Sequence, residues 1–284
     1  MKILVAGKSG QLARALGGRR WPEGTQCVTL GRPDLDVTDE ASVAAAIAAH
    51  APDIVVNAAA YTAVDRAEME RDAAFALNEG GPRHLAREAA RRGIALIHIS
   101  TDYVFGGAGT RPWREDDAKA PQGIYAASKL AGEEAVREEC ASHVIVRTSW
   151  LFAAQGRNFV RAMLERAVSG APVRVVDDQW GCPTPASDLA DAIAAVAAAP
   201  GPFGTYHYCG EGAVTWHGFA AEIFARASLN PALVPVTSAQ YGAAAPRPAY
   251  SVLDAAKIWR DYRIAQRPWT DGLDGVLREI KGGA

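Results

Sequence analysis

The sequence predicts a doubly wound α/β fold, in which helices cover both faces of a mostly parallel sheet, followed by a smaller C-terminal lobe. Short apolar segments alternate with longer helical segments through residues 1–150, and such alternation is typical of βαβ units. The apolar segments are apolar throughout rather than at every second residue, which indicates strands covered on both faces. Beyond Trp150 the alternation breaks down, so a second unit is expected there.

The first part of the chain supplies the strands of the sheet in order. The predicted strands are residues 2–6, 26–30, 54–57, 95–100 and 143–147. The helices predicted between them are residues 11–20, 39–50, 71–92 and 123–139. Acidic residues open the second of these helices, where they favour a helix N-terminus, and Gly93 follows the end of the third.

The second part of the chain predicts a less regular unit. Helices are predicted at 156–170, 187–199 and 216–228, the second with Ser187 as its N-cap, and strands at 173–176 and 204–208. Residues 231–250 are rich in Pro, Ala and Gly and predict a loop. We expect residues 1–150, with returning segments near 187–208, to form the sheet domain. Residues 151–186 and 209–284 are expected to form the lobe, and the cleft between the two is the expected substrate site.

The composition excludes several classes of protein. Lys and Arg number 30 against 32 Asp and Glu, which gives a formal net charge of -2, and no basic stripe suited to nucleic acid is present. No apolar run reaches the length of about 18 residues that a membrane span needs, and the apolar N-terminal run is too short for a signal peptide. Four separated cysteines, with no CxxC pair, predict buried thiols in a cytoplasmic protein.

A glycine-rich turn follows the first predicted strand and opens the first helix. Gly7, Gly10 and Ala13 form a GxxGxxA pattern, in which glycines allow the backbone to approach a pyrophosphate at the helix N-terminus. A plain strand-to-helix turn is the alternative interpretation. A Walker-type loop would carry Gly-Lys-Ser at its far end, whereas here that tripeptide begins the turn, so an ATPase is disfavoured.

The end of the second strand bears on the choice between two nicotinamide cofactors. An acidic residue there would bind the ribose 2′-hydroxyl of NADH, but this chain has Leu30, Gly31 and Arg32. Arginine is always charged and suits a 2′-phosphate. The sequence therefore predicts NADPH, with NADH also open, and a solvated surface arginine is the alternative.

Tyr125 and Lys129 are the strongest indication of catalytic residues in the sequence. Their i,i+4 spacing in a predicted helix places both side chains on one face. A neighbouring ammonium is expected to lower the tyrosine pKa towards the working range. Although this pair of residues occurs often by chance, Ser100 and Thr101 end the fourth strand just upstream, and ligands lie at strand ends in such sheets. Together these groups can polarise a carbonyl and transfer a proton beside a nicotinamide.

These motifs together resemble those of the extended short-chain dehydrogenase/reductases, and more closely those of the dTDP-4-dehydrorhamnose reductase family. The segments that carry this resemblance are residues 7–12, 57–65, 100–105, 125–133, 147–150, 158–159, 178–184, 247–248 and 251–254. The resemblance implies a Rossmann-type sheet and NADPH-dependent reduction of the 4-keto group of dTDP-4-dehydro-β-L-rhamnose. It also implies a small dTDP-sugar as the partner, rather than nucleic acid or membrane.

The resemblance assigns roles to matching residues. It implies Tyr125 as proton donor, Lys129 as its partner and ribose anchor, and Thr101 as hydrogen-bond donor to the reacting oxygen. Gly7 and Arg32 are cofactor residues by the reasoning above, and Gly31-Arg32 stands where some relatives carry Asp. The residues that match the family's cofactor site, besides Tyr125 and Lys129, are Gly10, Gln11, Leu12, Asp36, Val37, Ala60, Tyr61 and Thr62. Those that match substrate contacts are Thr101, Asp102 and Trp150, and a core tryptophan is the alternative for the last.

Several alternatives stay open at this point. One is another sugar-nucleotide 4-ketoreductase or epimerase of the same fold. A dehydratase is disfavoured, because dehydratases carry Asp-Glu after the catalytic Thr and here Asp102 is followed by Tyr103. Another is a non-catalytic regulatory subunit resembling that of methionine adenosyltransferase. Some family members bind Mg²⁺ at a dimer interface, and the sequence identifies no matching carboxylates, so Mg²⁺ and a homodimer are left open.

Overall fold

The computed structural model describes residues 1–199 and 201–283. Its strands are β1 (Lys2–Ala6), β2 (Gln26–Leu30), β3 (Ile54–Asn57), β4 (Ala95–Thr101), β5 (His143–Thr148), β6 (Leu151–Phe152), β7 (Val173–Val176), β8 (Trp180–Gly181), β9 (Thr184–Pro185), β10 (Gly204–His207), β11 (Val214–Thr215) and β12 (Leu233–Val236). Its helices are α1 (Gln11–Gly18), α2 (Glu40–His50), α3 (Val64–Ala67), α4 (Arg71–Phe75), α5 (Gly81–Arg92), α6 (Gly123–Glu139), α7 (Phe159–Ala167), α8 (Ala186–Ala198), α9 (Trp216–Ala227), α10 (Ser238–Tyr241), α11 (Ala256–Tyr262) and α12 (Trp269–Gly282).

Six parallel strands form the central sheet, in the order β10-β5-β4-β3-β1-β2. Alternate residues of β1 explain why helices cover both faces. Ile3 and Val5 belong to a buried cluster with side chains of α1 and α8. Leu4 and Ala6 belong to a second cluster with side chains of α2, α5 and α6. Because successive side chains of a strand point to opposite faces, a uniformly apolar strand needs cover on both. The predicted doubly wound α/β fold is confirmed.

The lobe has its own apolar core. Aromatic and branched side chains of β6, α7, β7, α9 and α12 form this cluster, among them Phe152, Phe219 and Trp269. Three two-stranded sheets, β11-β8, β12-β7 and β6-β9, connect its loops. β12 and α10 lie in the stretch 231–250, where the sequence predicted a loop. That prediction missed them because both elements are short and β12 pairs with the distant β7.

Two local predictions need correction. Ser187 is not an N-cap, because α8 begins at Ala186 and Pro185 holds the extended cap position. The predicted helix at 71–92 is helical throughout, but residues 76–80 form a π-helical turn between α4 and α5. This turn carries the buried Asn78 close to α6, where a Cβ at Gly132 would lie 2.0 Å from the Asn78 carbonyl oxygen. A glycine is therefore required at that contact.

The thiols agree with the expectation of buried cysteines. Cys140, Cys182 and Cys209 are buried, Cys27 is partly buried, and all four are free. Within the residues that the structure describes, no helix is long and apolar enough to cross a membrane.

Candidate active site

A cavity of about 490 Å³ lies between the carboxyl ends of the sheet strands and the lobe. Parallel sheets bind ligands at this edge because the strands end there together. The residues predicted for the site that line this cavity are Gly10, Gln11, Leu12, Ala60, Thr62, Thr101, Asp102, Tyr125, Lys129 and Trp150. Gly7, Arg32, Asp36, Val37 and Tyr61 do not line it, although all belong to turns or segments at the same end of the sheet.

The turn after β1 has a shape that suits a pyrophosphate. Gly7 has a φ of 105°, and a Cβ there would lie 2.8 to 2.9 Å from backbone atoms of Ala58 and Ala59. The Gly10 N–H donates to the Gly7 carbonyl at 2.8 Å, and Gly10 precedes α1 without a side chain to cap it. The first N–H groups of the helix can therefore bind an anion. The turn fits the cofactor that the sequence predicts.

The end of β2 lies against the glycine-rich turn. A Cβ at Gly31 would lie 3.2 Å from the Lys8 Cβ, and the neighbouring Arg32 is exposed. Lys8 was not predicted as a site residue, because its contact with Gly31 arises only when β1 and β2 pair. Its place in the glycine-rich turn is the signal that could have found it.

Asp36 and Val37 have structural contacts of their own. Asp36 accepts hydrogen bonds from the N–H and hydroxyl of Thr38 at 3.0 and 2.7 Å, and these bonds lower the pKa of its carboxyl. Val37 is buried in the core, where it packs against Gly81 of α5. The Val37 carbonyl lies 3.1 Å from His84 Nδ1. Both residues fix the chain just beyond β2.

The segment after β3 is held by a buried amide. The Tyr61 N–H donates to Asn78 Oδ1 at 2.8 Å, and Asn78 Nδ2 donates back to the Tyr61 carbonyl at 3.1 Å. The Tyr61 hydroxyl donates to Glu70, which lies between α3 and α4, so this side chain already has a partner. Ala60 and Thr62 on either side of it line the cavity.

Thr101, Asp102 and Tyr125 meet at the end of β4. The Thr101 hydroxyl donates to Asp102 Oδ1 at 2.9 Å, and Tyr125 packs edge-on against Tyr103 with ring centroids 5.6 Å apart. Burial raises the pKa of Tyr125 to about 12, and a hydrogen bond with Thr101 offsets this rise only in part. The expectation that Lys129 lowers the tyrosine pKa is therefore wrong. Burial dominates the pKa of this hydroxyl, and Tyr125 is protonated at neutral pH.

Asp102 is a buried carboxyl with one oxygen that lacks a partner in the described part of the chain. Its exposed fraction is 2%, and Oδ2 has no hydrogen-bond partner among the described residues. Burial raises the pKa of this carboxyl to about 7, against the lowering effects of Ser251 and Thr101. A buried acceptor left without a partner is costly, and Asp102 is among the residues that line the cavity. Asp102 is therefore a candidate polar contact of this cavity.

Lys129 is oriented by the sheet rather than by Tyr125. Its Nζ donates to the Ile99 carbonyl at 2.7 Å and lies 3.5 Å from His98 Nε2. Burial lowers the pKa of Lys129 to about 8, while Glu133, one turn further along α6, raises it.

Trp150 connects the sheet to the lobe. Its ring stacks on Trp216, the first residue of α9, with centroids 3.5 Å apart and planes 9° apart. Its backbone has a φ of 47°, which is uncommon for a large residue and is often found at functional sites. A Cβ at Gly181 would lie 2.5 Å from the Trp150 ring. Trp216 and Arg157 also line the cavity but were not predicted, because both come from the lobe.

A second cavity, of about 520 Å³, adjoins the first along Trp216. Arg166, Arg174 and Arg247 line it together with aromatic side chains. Arg247 also forms a two-pronged ion pair with Asp65, at 2.8 and 3.0 Å, which ties the lobe to the segment after β3. The described residues include no group of three or more His, Cys, Asp or Glu side chains that could hold a metal ion.

Comparisons with known proteins agree with this geometry. A dTDP-4-dehydrorhamnose reductase from Streptomyces griseus is 46% identical over 263 residues, which cover 90% of this chain and 86% of that protein. A Streptomyces antibioticus protein named as a probable dTDP-4,6-dihydroxy-2-methyloxan-3-one 4-ketoreductase is 44% identical over 285 residues, which cover 99% of this chain and 96% of that one.

A solved structure shares the arrangement of both units. The crystal structure of dTDP-4-dehydrorhamnose reductase from Bacillus anthracis str. Ames in complex with NADP superposes with a TM-score of 0.94 at 36% identity, and covers 98% of this chain and 99% of that one. The model of the family described as the RmlD substrate binding domain matches residues 1–281. Since this match takes in the central sheet as well as the lobe, the chain belongs to the RmlD substrate binding domain family.

Proposed function

We propose that the protein reduces the 4-keto group of dTDP-4-dehydro-β-L-rhamnose with NADPH and forms dTDP-β-L-rhamnose. The observation that carries this proposal is one cavity that holds a proton donor, Tyr125, a hydroxyl, Thr101, and an ammonium, Lys129, beside the glycine-rich turn. The name of the Streptomyces griseus relative and the NADP in the Bacillus anthracis structure support the substrate and the cofactor.

Tyr125 has the protonation state that a reduction requires. When bound, NADPH supplies the hydride that reduces the carbonyl carbon. Tyr125 donates its proton to the carbonyl oxygen, and it holds that proton at neutral pH because burial raises its pKa. The Thr101 hydroxyl would turn from Asp102 to donate a hydrogen bond to the same oxygen, and the Lys129 ammonium adds positive charge to the cavity.

The cofactor is proposed to lie along the strand ends. Gly7, Gly10, Gln11 and Leu12 would bind its pyrophosphate with backbone N–H groups. The residues proposed along the rest of the cofactor are Asp36, Val37, Ala60, Tyr61 and Thr62. Arg32 would bind a 2′-phosphate, and Lys8 beside it adds a second positive charge. The sheet unit is thus the cofactor domain, and the lobe is the substrate domain.

The sugar nucleotide is proposed to span both cavities. Asp102 would accept a hydrogen bond from a sugar hydroxyl, and the Trp150 ring would pack against the sugar face. The neighbouring cavity lined by Arg166, Arg174 and Arg247 offers positive charge for the diphosphate. The free thiols of all four cysteines fit the reducing cytoplasm in which we propose that the enzyme acts.

A second candidate is reduction of a different 4-keto sugar nucleotide, which the name of the Streptomyces antibioticus relative favours. The deciding experiment measures NADPH oxidation with dTDP-4-dehydrorhamnose and with other dTDP-4-keto sugars, using Tyr125→Phe as the control. We expect kcat/KM to be highest for dTDP-4-dehydrorhamnose and the control to lose about 10²- to 10⁴-fold in rate. Near-wild-type turnover by Tyr125→Phe would remove tyrosine as the acid, and no turnover of any 4-keto sugar would favour a regulatory subunit.

A further inference from the structure

A buried chain of polar contacts runs below the cavity from β3 through β4 to α6. Asn57 ends β3, His98 lies beside it on β4, and Lys129 projects towards both from α6. Asn57 Nδ2 lies 3.1 Å from His98 Nδ1, and His98 Nε2 lies 3.5 Å from Lys129 Nζ. Asn57 and His98 are fully buried, and Lys129 is 2% exposed. The proposed function gives His98 no role.

The contacts of Asn57 fix which nitrogen of His98 carries the proton. Asn57 Oδ1 accepts a hydrogen bond from the Ala59 N–H at 3.1 Å. The amide group of Asn57 must therefore turn its NH₂ towards His98, and His98 Nδ1 must be the acceptor. A neutral imidazole has one N–H, so the proton lies on Nε2, the atom that faces Lys129.

This tautomer determines what Lys129 meets. An N–H aimed at an ammonium finds no lone pair, whereas a neutral amine offers one. The other contact of the Lys129 nitrogen, the Ile99 carbonyl at 2.7 Å, can accept from either form. The surroundings of Lys129 thus contain one contact that favours the amine over the ammonium.

We propose that His98 is a positioning residue for the reaction, because its Nε2–H stabilises the neutral amine of Lys129 and so allows Lys129 to resupply the proton that Tyr125 gives up. The Tyr125 O–H bond breaks as its proton passes to the carbonyl oxygen. A Lys129 N–H bond then breaks, and its proton passes through water in the cavity that both side chains line to the tyrosine oxygen, where the O–H bond forms again. The amine accepts a hydrogen bond from His98, and water returns a proton to it after the product leaves.

The electrostatics of the neighbours support this direction of transfer. The pKa of Tyr125 is about 12 and that of Lys129 is about 8, so a proton moves downhill from Lys129 to a tyrosinate. Burial and Lys129 hold the pKa of His98 well below its usual value, which keeps the ring neutral. The charged and titratable groups that face this pair are Glu133 and Arg137 of α6 and His143 of β5, while β3 contributes the uncharged Asn57.

The test reads the titration of Lys129 itself. The chain has six lysines, so NMR of ε-¹³C-labelled lysine gives few signals, and Lys129→Met identifies the one from Lys129. We would titrate the wild-type protein, His98→Leu, which lacks the N–H, and His98→Gln, whose amide can still donate one. His143→Gln on β5 is the matched control.

We expect the Lys129 pKa to rise by about half to one pH unit in His98→Leu, the size of one ordinary hydrogen bond. It should stay near the wild-type value in His98→Gln and in His143→Gln. The alkaline limb of the kcat profile should move upward with the Lys129 pKa in His98→Leu. An unchanged Lys129 pKa in His98→Leu would overturn the proposal.

A measurement on the wild-type protein guards against a variant that fails to fold. The ¹⁵N shifts of the His98 ring should show the proton on Nε2, and a proton on Nδ1 would overturn the proposal. The inference rests on the proposed function only for its role in turnover. If NADPH oxidation fails with every 4-keto sugar while the NMR results hold, the proposed function is wrong and the coupling between His98 and Lys129 remains.

Discussion

Replacing Asp102 by Asn should raise the stability of the fold at alkaline pH and lower the affinity for the substrate. In the native protein burial raises the pKa of Asp102 from 3.8 to about 7, so the fold favours the protonated form. The carboxyl therefore costs nothing below pH 3.8, and stability falls as the pH rises towards 7, because the unfolded chain releases the proton first. At 1.36 kcal/mol per pH unit, the full cost above pH 7 is about 4 kcal/mol.

Asparagine keeps an acceptor for the Thr101 hydroxyl but cannot ionise. The free energy of unfolding of Asp102→Asn relative to wild type should therefore rise by about 3 kcal/mol between pH 5 and pH 9. Urea denaturation at both pH values measures this difference. Asp117→Asn is the control, because Arg111 lowers the pKa of Asp117 to about 2 and its carboxyl stays ionised throughout that range.

The same variant should lose affinity for the sugar. Without the carboxylate, KM for the 4-keto sugar should rise by about 10- to 100-fold, the worth of one hydrogen bond to a charged group. If the stability difference between Asp102→Asn and wild type is the same at pH 5 and pH 9, Asp102 ionises normally and the reasoning from its burial is refuted.

Three further substitutions test other parts of the site. Arg32→Ala should reduce the preference for NADPH over NADH about tenfold or more, measured as the ratio of kcat/KM values, and an equal effect on both cofactors would make Arg32 a bystander. Trp150→Ala should raise KM for the sugar while the Kd of NADPH, from fluorescence titration, stays the same. Unfolding, or loss of NADPH binding alone, would make Trp150 a core residue. Gly7→Ala should weaken NADPH binding and lower Tm, because its Cβ meets the backbone of Ala58 and Ala59. Gly24 also has a positive φ, of 78°, but a Cβ there meets nothing within 4 Å, so equal effects of Gly7→Ala and Gly24→Ala would contradict this reason.

The strands of the sheet could be predicted because each is specified by its own short stretch of sequence. Each predicted strand of the first half matches an observed strand to within one residue, since a short apolar run bounded by turn residues identifies a buried strand. The sequence assigned no elements beyond residue 250, where α11 and α12 form. Their apolar faces pack on distant parts of the chain, and Trp269 of α12 stacks edge-on against Phe219 of α9.

The residues of the candidate site also differ in whether local sequence could identify them. Residues in motifs at strand ends, such as Thr101 and Tyr125, were predicted and do line one cavity. Trp216 and Arg157 reach the cavity from the lobe, and their approach depends on how the lobe packs against the sheet. The pKa of Tyr125 was predicted in the wrong direction because spacing along a helix says nothing about burial. Electrostatic behaviour requires the whole surroundings of a group.

A hydrogen bond of the Gln11 side chain links the turn proposed for the cofactor to the lobe proposed for the sugar. Gln11 begins α1 in the glycine-rich turn, its Oε1 accepts from Asn158 Nδ2 at 2.9 Å, and Asn158 caps α7 of the lobe. A shift of the turn on binding an anion would therefore act on the start of α7 through this hydrogen bond. Any coupling through this contact is reciprocal, so a cofactor that tightens sugar binding by some factor must itself be bound more tightly by the same factor when sugar is present. Asn158→Ala removes the contact and should make the two affinities independent.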